Sequence, residues 1–368
     1  MSTLRSTYVP PETPDLPILF IVEAPDETEE RLKRPLIGPS GQLLETACDK
    51  LNLVRGKDYG LTNVCKYRPT KNDWAGLAEE VKLAQERQLL TELATYRNIN
   101  TLICLGATAT KAVITMLDTV GNPLTFTKMR GCFWEAKLDN PRTGHLYKAL
   151  CTYHPAAILH QIGSPLELGE DIAKAIQYNN SPYVEYDHNP SNDRIVQTAA
   201  DALSWIELLA KQPILVYDVE TIPPKWQVDC ISFAWSATEG VCFDLLSDDQ
   251  KSIGGLLERI LTNPSIIKCG QNVGYDQDAI QRTFGYYPTG PHLDTLDMHN
   301  LLDPGVPHDL GYLSAKFCNR PYFKDEKKQI KGKIHDRLTR LKYCLTDSLT
   351  EYAVMEVLAA SLDKKGLW

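Results

Sequence analysis

The sequence predicts an α/β protein built as two domains. Three observations carry this. The chain has 368 residues, enough for two hydrophobic cores. Short apolar runs alternate with helical patterns from about Leu16 to Tyr178, and again from about Arg194 onward. Between the two blocks, Gln177-Tyr-Asn-Asn-Ser-Pro and Tyr186-Asp-His-Asn-Pro-Ser-Asn192 gather polar turn formers. The expected division is therefore a first domain over 1–178, a linker over 179–193 and a second domain over 194–368.

In the first block the strand candidates are Ile18–Val22, Leu61–Cys65 and Thr101–Leu105. Each is rich in apolar residues and ends in turn chemistry. A helical pattern covers Leu77–Thr95. Alternation of this kind predicts a mainly parallel sheet covered by helices. In the second block a helix over Thr198–Lys211 leads into a strand at Ile214–Asp218. Cys230–Trp235 and Val241–Leu245 read as the next strands of a meander. Helical segments follow and end with Arg337–Leu362.

Composition narrows the class. Apolar content of 43% and charged content of 23% are ordinary for a globular protein. No apolar run reaches membrane-span length, and Met1–Pro17 lacks a signal-type apolar segment, so a cytoplasmic location with no membrane partner is expected. Ten cysteines are scattered with none at C-x-x-C spacing, which argues for reduced thiols rather than a zinc ribbon or a disulfide framework. The net charge of −8 is unusual for a nucleic-acid binder. Clustered carboxylates for a metal, with a local basic stripe for phosphate, would reconcile the two.

Three motifs supply such carboxylates. Asp218 and Glu220 lie in Ile214-Leu-Val-Tyr-Asp-Val-Glu-Thr221, two apart on a strand, so both project from one face. Asp276 ends Gly270-Gln-Asn-Val-Gly-Tyr-Asp276, four residues after Asn272 at a helix start. Tyr343 and Asp347 repeat that spacing on the last helix and set a phenol beside a carboxylate. Carboxylate oxygens suit Mg²⁺ or Mn²⁺. Two such ions roughly 4 Å apart activate a water and stabilise the leaving 3′ oxygen of a phosphodiester.

This block resembles the 3′–5′ proofreading exonuclease domain of family-A DNA polymerases, the tyrosine-bearing type with four acidic residues. The later His308-Asp-Leu-Gly-Tyr-Leu follows the same pattern. The resemblance covers about Arg194 to the C-terminus. It implies an RNase H-like mixed sheet with flanking helices. It also implies that Asp218 bridges two metals, Glu220 binds one, Asp276 acts mostly through water and Asp347 binds the first. Tyr343 would orient the attacking water. The expected partner is DNA, single-stranded or with a frayed 3′ end, alongside a separate DNA polymerase.

The first block carries Val22-Glu-Ala-Pro-Asp-Glu-Thr-Glu-Glu30, Arg34-Pro-Leu-Ile-Gly-Pro-Ser-Gly-Gln-Leu-Leu44, Thr62-Asn-Val-Cys-Lys-Tyr-Arg-Pro69, Leu105-Gly-Ala-Thr-Ala109 and Thr152-Tyr-His-Pro-Ala156. Each follows a strand or opens a helix, which gathers them along the carboxyl edge of a parallel sheet. Together they resemble the uracil-DNA glycosylase superfamily, nearest its family-four members, over about Leu16 to Ile176. The resemblance implies a three-layer αβα domain that flips a nucleotide and cleaves its N-glycosidic bond. It puts Glu23 and Glu29 in the water-handling motif, Glu29 as a catalytic group and Glu23 lining the base pocket. Asn63 would read the pyrimidine edge, Asn72 falls on the second asparagine, and His154 would stabilise charge on the leaving base.

Three positions depart from the family pattern. Family-four enzymes hold an iron–sulfur cluster on four cysteines. Here no cysteine precedes Cys48, Tyr67 stands where one is expected, and residues 73–100 contain none, so no cluster is expected. Leu36 replaces a phenylalanine that would stack on the base, a contact worth roughly 1–3 kcal/mol in single-strand binders. Asp26 replaces a glycine and adds an anion. Two readings stay open for this half: it excises uracil, or it is a non-catalytic module that binds DNA or a polymerase. A third makes the whole chain an accessory subunit. Lys324–Lys342, rich in lysine and arginine, reads as a guide for a single strand or as a solvated face. His299, His308 and His335 show no ligand spacing.

Overall fold

The structure, a computed structural model, describes residues 2–116, 126–137, 146–179, 194–246, 249–321 and 337–367. They fall into two compact units. Residues 319–321 group with the first, and the rest of the chain beyond 194 forms the second. The expected linker over 179–193 lies outside the described residues, save Asn179.

The first unit is a five-stranded sheet ordered Tyr59–Asn63, Ile18–Val22, Thr101–Leu105, Leu146–Thr152, Phe133–Lys137. The first four strands run parallel and the last is antiparallel. The first three are buried at every position, as strands in a doubly covered parallel sheet should be. On one face Phe20, Val22, Leu61, Ile103 and Leu150 pack with Leu44, Ala47, Ile158 and Ile172 of the covering helices. The helix Gly106–Met116 packs on the strands Ile18–Val22 and Thr101–Leu105. This is the expected three-layer arrangement.

Two strand expectations hold to the residue. The third sits two residues earlier than expected, because its Tyr59–Asn63 ladder matches Ile18–Val22 position for position. The helix expected over Leu77–Thr95 spans Glu79–Leu93. The strands Leu146–Thr152 and Phe133–Lys137 were not expected, nor was the small pair of Leu4–Tyr8 with Tyr67–Pro69.

The second unit is a six-stranded mixed sheet. Its order is His292–Asp294, Ile267–Gly270, Ile214–Ile222, Gln227–Ala234, Gly240–Asp244, Ile195–Val196. The meander Ile214–Ile222, Gln227–Ala234, Gly240–Asp244 is antiparallel, and parallel strands extend it at both ends. This is the RNase H-like mixed sheet the motifs imply. Alternation along each strand divides the side chains between two cores. Leu215, Tyr217, Val219, Ile231, Phe233 and Phe243 face the helices Ala199–Leu209, Gln250–Leu261 and Val273–Phe284. Val216, Cys230, Ala234 and Cys242 face the helices Leu310–Cys318 and Arg337–Lys364. Asp218 and Glu220 continue the second set, so they project toward the last helix. Among the described residues, no helix is long and apolar enough to cross a membrane.

Candidate active sites

The first site of interest lies where the strand Ile214–Ile222 meets the last helix. Asp218, Glu220 and Asp347 each bring a carboxylate oxygen within 4.8 Å of the others. Asp218 Oδ2 is buried and makes no hydrogen bond to the described residues. Burial, then the charges of Glu351, Asp347, Asp276 and Glu220, push the Asp218 carboxyl well above the usual range. Four like charges around one buried acid are costly unless a cation shares the space. Asp276 adds to the field felt by Asp218 but stands outside the tight group of three.

The last helix presents Tyr343, Asp347 and Glu351 at i, i+4, i+8, all buried. Burial and the charges of Asp347, Glu220 and Asp218 raise the Tyr343 phenol, so it keeps its proton. Glu351 was not expected; its four-residue spacing from Asp347 was the available signal.

A β-bulge shapes the edge of this site. The pairing slips between Val228 and Cys230, leaving Asp229 as the extra residue opposite Thr221 and Glu220. Asp229 Oδ2 accepts from Arg340 Nε at 2.6 Å and from an Arg337 guanidinium nitrogen at 3.1 Å. Arg337 also reaches Asp244 at 2.5 Å. Arg340 donates to the Thr221 carbonyl at 2.9 Å and sits 3.5 Å from Glu220. These two arginines, counted in the sequence as part of a strand-guiding stretch, are spent on carboxylates of their own unit. The remainder of that stretch, with His335, lies outside the described residues apart from Leu338, Thr339, Leu341 and Lys342.

The Gln271-Asn272 portion of the second motif is structural. Asp294 accepts from the backbone N–H groups of Asn272 and Val273, both at 2.9 Å, and so caps the helix that bears Asp276. The same carboxylate caps the next helix through Leu296 N at 2.9 Å. Gln271 Nε2 donates to the His308 carbonyl at 2.7 Å, which ties the motif to the His308-Asp-Leu-Gly turn. His299 and His308 meet ring to ring, Nδ1 to Nδ1 at 2.7 Å.

The second site follows from strand register in the first unit. Val22, Asn63, Leu105 and Thr152 align in one row at the carboxyl edge. Glu23, Gly106 and Tyr153 follow them, and His154 comes next. The Asn63 side chain is 2% exposed, yet neither its Oδ1 nor its Nδ2 has a hydrogen-bond partner. Its carbonyl accepts from Lys66 Nζ at 2.7 Å, and that fully buried ammonium pairs with Glu92 at 2.7 Å. Lys66, quoted above only as part of a motif, thus fixes the strand end that carries Asn63.

His154 caps the short helix Pro155–Leu159, its Nδ1 accepting from Ala156 N at 3.0 Å. Burial lowers its pKa to about 4, so the ring is neutral at pH 7. With Nδ1 an acceptor, the proton resides on Nε2. Gly106, at φ +86°, makes room for this histidine: a Cβ there would lie 3.0 Å from the His154 Cβ. Glu23 accepts from the Thr108 hydroxyl at 2.5 Å.

Three expected residues are placed differently. Glu29 lies in a capping box: its Oε2 accepts from Asp26 N at 2.9 Å, and Asp26 Oδ1 accepts from Glu29 N at 2.8 Å. Its Oε1 accepts from Ile37 N at 3.3 Å, and burial pushes the carboxyl up to about 7. Asp26 is therefore the N-cap of the helix Glu27–Leu32 rather than a free anion. Leu36 turns inward at φ +49° and joins the core beside Leu44 and Ile158. Arg55 holds that turn by donating to the Pro35 and Leu36 carbonyls at 2.5 and 2.8 Å. Asn72 is exposed, and its Oδ1 accepts from Arg68 Nε at 2.9 Å.

Comparison with known proteins matches a family to each half of the chain. The uracil DNA glycosylase superfamily matches residues 10–177, and a 3′–5′ exonuclease family matches residues 194–361. The type-4 uracil-DNA glycosylase of Pyrobaculum aerophilum is 32% identical over 160 residues, covering 43% of this chain and 76% of that protein. The chain belongs to the uracil-DNA glycosylase superfamily. The type-4 enzyme of Archaeoglobus fulgidus is 31% identical over 39% of this chain and 67% of its own length. In this member of the superfamily, the glycosylase-like domain is joined to a 3′–5′ exonuclease domain. Among solved structures, Escherichia coli RNase D aligns with a TM-score of 0.41 at 19% identity, over 48% of this chain and 46% of that one. The chain thus spans less than half of that RNase D. The catalytic core of RRP6 from Trypanosoma brucei aligns with a TM-score of 0.43 at 17% identity, over 67% of this chain and 65% of that chain.

Proposed function

We propose that the chain is a DNA-processing enzyme. Its second domain removes nucleoside monophosphates from DNA 3′ ends, and its first domain holds an extruded uracil and breaks its N-glycosidic bond. The domain limits 1–178 and 194–368 belong to this reading; the matched stretches, ending at 177 and resuming at 194, support them.

The observation that carries the nuclease is the convergence of three carboxylates around the unpartnered Asp218 Oδ2. An all-oxygen, buried donor set fits a hard divalent cation. Asp218, Glu220, Asp347 and, through water, Asp276 would hold Mg²⁺ or Mn²⁺. Such ions, when bound, supply an activated water and stabilise the leaving 3′ oxygen. The protein's own groups do the positioning. Tyr343 keeps its phenol proton and orients the attacking water. Arg340 tethers Glu220, and Asp294 holds the helix start that presents Asp276.

In the first domain the Asn63 amide supplies one donor and one acceptor to a pyrimidine edge. His154 donates from Nε2 to the base oxygen on which negative charge builds as the C–N bond breaks. A neutral donor at this point needs no proton transfer. Glu23 handles the attacking water. No iron–sulfur cluster is part of this proposal, because no cysteine precedes Cys48, Tyr67 stands where one is expected and residues 73–100 contain none.

A second reading keeps the pocket and drops the cut. The capped Glu29 and the inward Leu36 favour it, since neither is free to serve a flipped base. The domain would then sense uracil or dock a polymerase. One experiment separates these. A single-stranded oligonucleotide, labelled at its 5′ end and carrying one uracil, is incubated in Mg²⁺ or in EDTA and then treated with alkali. A ladder only in Mg²⁺ reports the exonuclease; a discrete break in EDTA reports the glycosylase. The ladder without the break would leave the first domain as a reader. The absence of both products would overturn the enzymatic reading. A matching RNA strand assigns the sugar preference.

A further inference from the structure

The sheet face that carries the carboxylates also carries sulfur. Glu220 pairs directly with Cys230 on the neighbouring strand. Cys230 pairs with Asp244, so Cys242, two residues earlier, shares that face on the third strand. The last helix brings Cys344 down onto both, one residue after Tyr343. The three Sγ atoms lie within 4.8 Å of one another, and all three residues are buried.

We propose that Cys230, Cys242 and Cys344 form a binding site for one thiophilic d¹⁰ cation of the zinc class, separate from the carboxylate cage. A tetrahedral ion with metal–sulfur distances of about 2.3 Å places its sulfurs roughly 3.8 Å apart. The three thiols therefore need to close by no more than about 1 Å. Another donor, Ser232 Oγ, lies 3.3 Å from Cys344 Sγ. Simple apolar burial accounts for a cysteine as a small hydrophobe. It gives no reason for three sulfurs from three elements to converge, and among the described residues no other three cysteines do so.

The chemistry keeps the two sites apart. Sulfur selects soft cations, whereas the all-oxygen cage selects Mg²⁺ or Mn²⁺. Their mechanical link is short. Cys344 Sγ lies 3.5 Å from the Asp218 carbonyl oxygen, and on binding an ion the three thiol protons leave to solvent while this proximity stays. An ion on these sulfurs would clip the last helix to both strands and hold Tyr343 and Asp347 over Asp218.

The probe is Cd²⁺, because cadmium thiolates absorb in the ultraviolet and cadmium carboxylates do not. The full chain is refolded from denaturant with Cd²⁺ present, so that access to a buried site is not limiting. The expected result is a thiolate charge-transfer band that saturates at one sulfur-bound cadmium per chain, retained in Asp218→Ala and lost in Cys242→Ser. Circular dichroism verifies that each variant is folded. If Cys242→Ser does not fold, Cys230→Ala takes its place. No band in the folded wild-type chain overturns the proposal. So does a band that survives in a folded cysteine variant, or one that vanishes in Asp218→Ala. The readout is spectroscopic, so failure of the nuclease reading would appear separately, as digestion that Asp218→Ala leaves unchanged.

Discussion

Asn63 offers a test in which stability and function should move in opposite directions. Its amide is buried at 2% exposure, with Oδ1 and Nδ2 both unbonded. A buried polar group without a partner costs on the order of 1–3 kcal/mol. Leucine has nearly the same shape and no such cost, so Asn63→Leu should stabilise the first domain by about 2 kcal/mol. For a domain of this size that raises Tm by about 4–8 °C. The same change removes two hydrogen bonds to the base, worth roughly 2–4 kcal/mol of capture, or about 30- to 700-fold in affinity. Scanning calorimetry of the full chain measures the first quantity. Titration with a uracil-containing oligonucleotide in EDTA measures the second. A variant that melts lower than wild type and still binds uracil would refute the reasoning, because the amide would then be serving the fold. The Lys66–Asn63 carbonyl bond is a backbone contact and is unaffected, so the substitution isolates the side chain.

Asp218→Ala should lower digestion of 3′ ends by at least about 10³-fold, the scale of a lost metal ligand and its charge stabilisation, and leave action on uracil untouched; loss of both activities would contradict independent sites. Asp294→Ala removes the cap of the helix bearing Asp276, and should cost about 1–2 kcal/mol in urea unfolding and slow digestion without abolishing it. Glu29 titrates near 4.5 in an unfolded chain and at about 7 when folded, so the folded state holds the proton more tightly. Its contribution is complete below pH 4.5 and is lost as pH rises through 7, about 3 kcal/mol in all. Glu29→Gln should flatten that loss and retain any uracil excision; abolished excision would restore Glu29 as a catalytic group. His154, at about 4, stays neutral above that pH, so the pH profile of excision should show no break near the ordinary histidine value of 6.5.

Local pattern made much of the fold legible. Ile18–Val22 is apolar from end to end and Thr101–Leu105 is apolar after its first residue, as a doubly covered strand requires, and both form as expected. Leu146–Thr152 is interrupted by Lys148, and its partner Phe133–Lys137 carries charge at Glu135 and Lys137. Such strands are selected by their position beside Thr101–Leu105 rather than by their own period. Tertiary placement overrode local signal there. The same holds for Asp26 and Glu29. In sequence Glu29 reads as a catalytic group and Asp26 as an added anion; in three dimensions they close a capping box.

The two proposed metal-binding constellations show why one kind of site is readable in a sequence and another is not. Asp218 and Glu220 declare themselves because strand alternation places residues two apart on one face, and Tyr343 and Asp347 because helical rise stacks residues four apart. Each half is a local statement, made within a single strand or helix. Cys230, Cys242 and Cys344 have no local statement to make. Their convergence depends on the ladder register that sets Cys230 against Asp244 and on how the last helix seats on that sheet. Both are long-range facts. The arginines show the reverse error. Arg337 and Arg340 look like phosphate contacts in a basic stretch, until the bulge at Asp229 supplies them with a carboxylate in their own domain. Charge in a sequence says what a residue carries, and only packing says which group it answers.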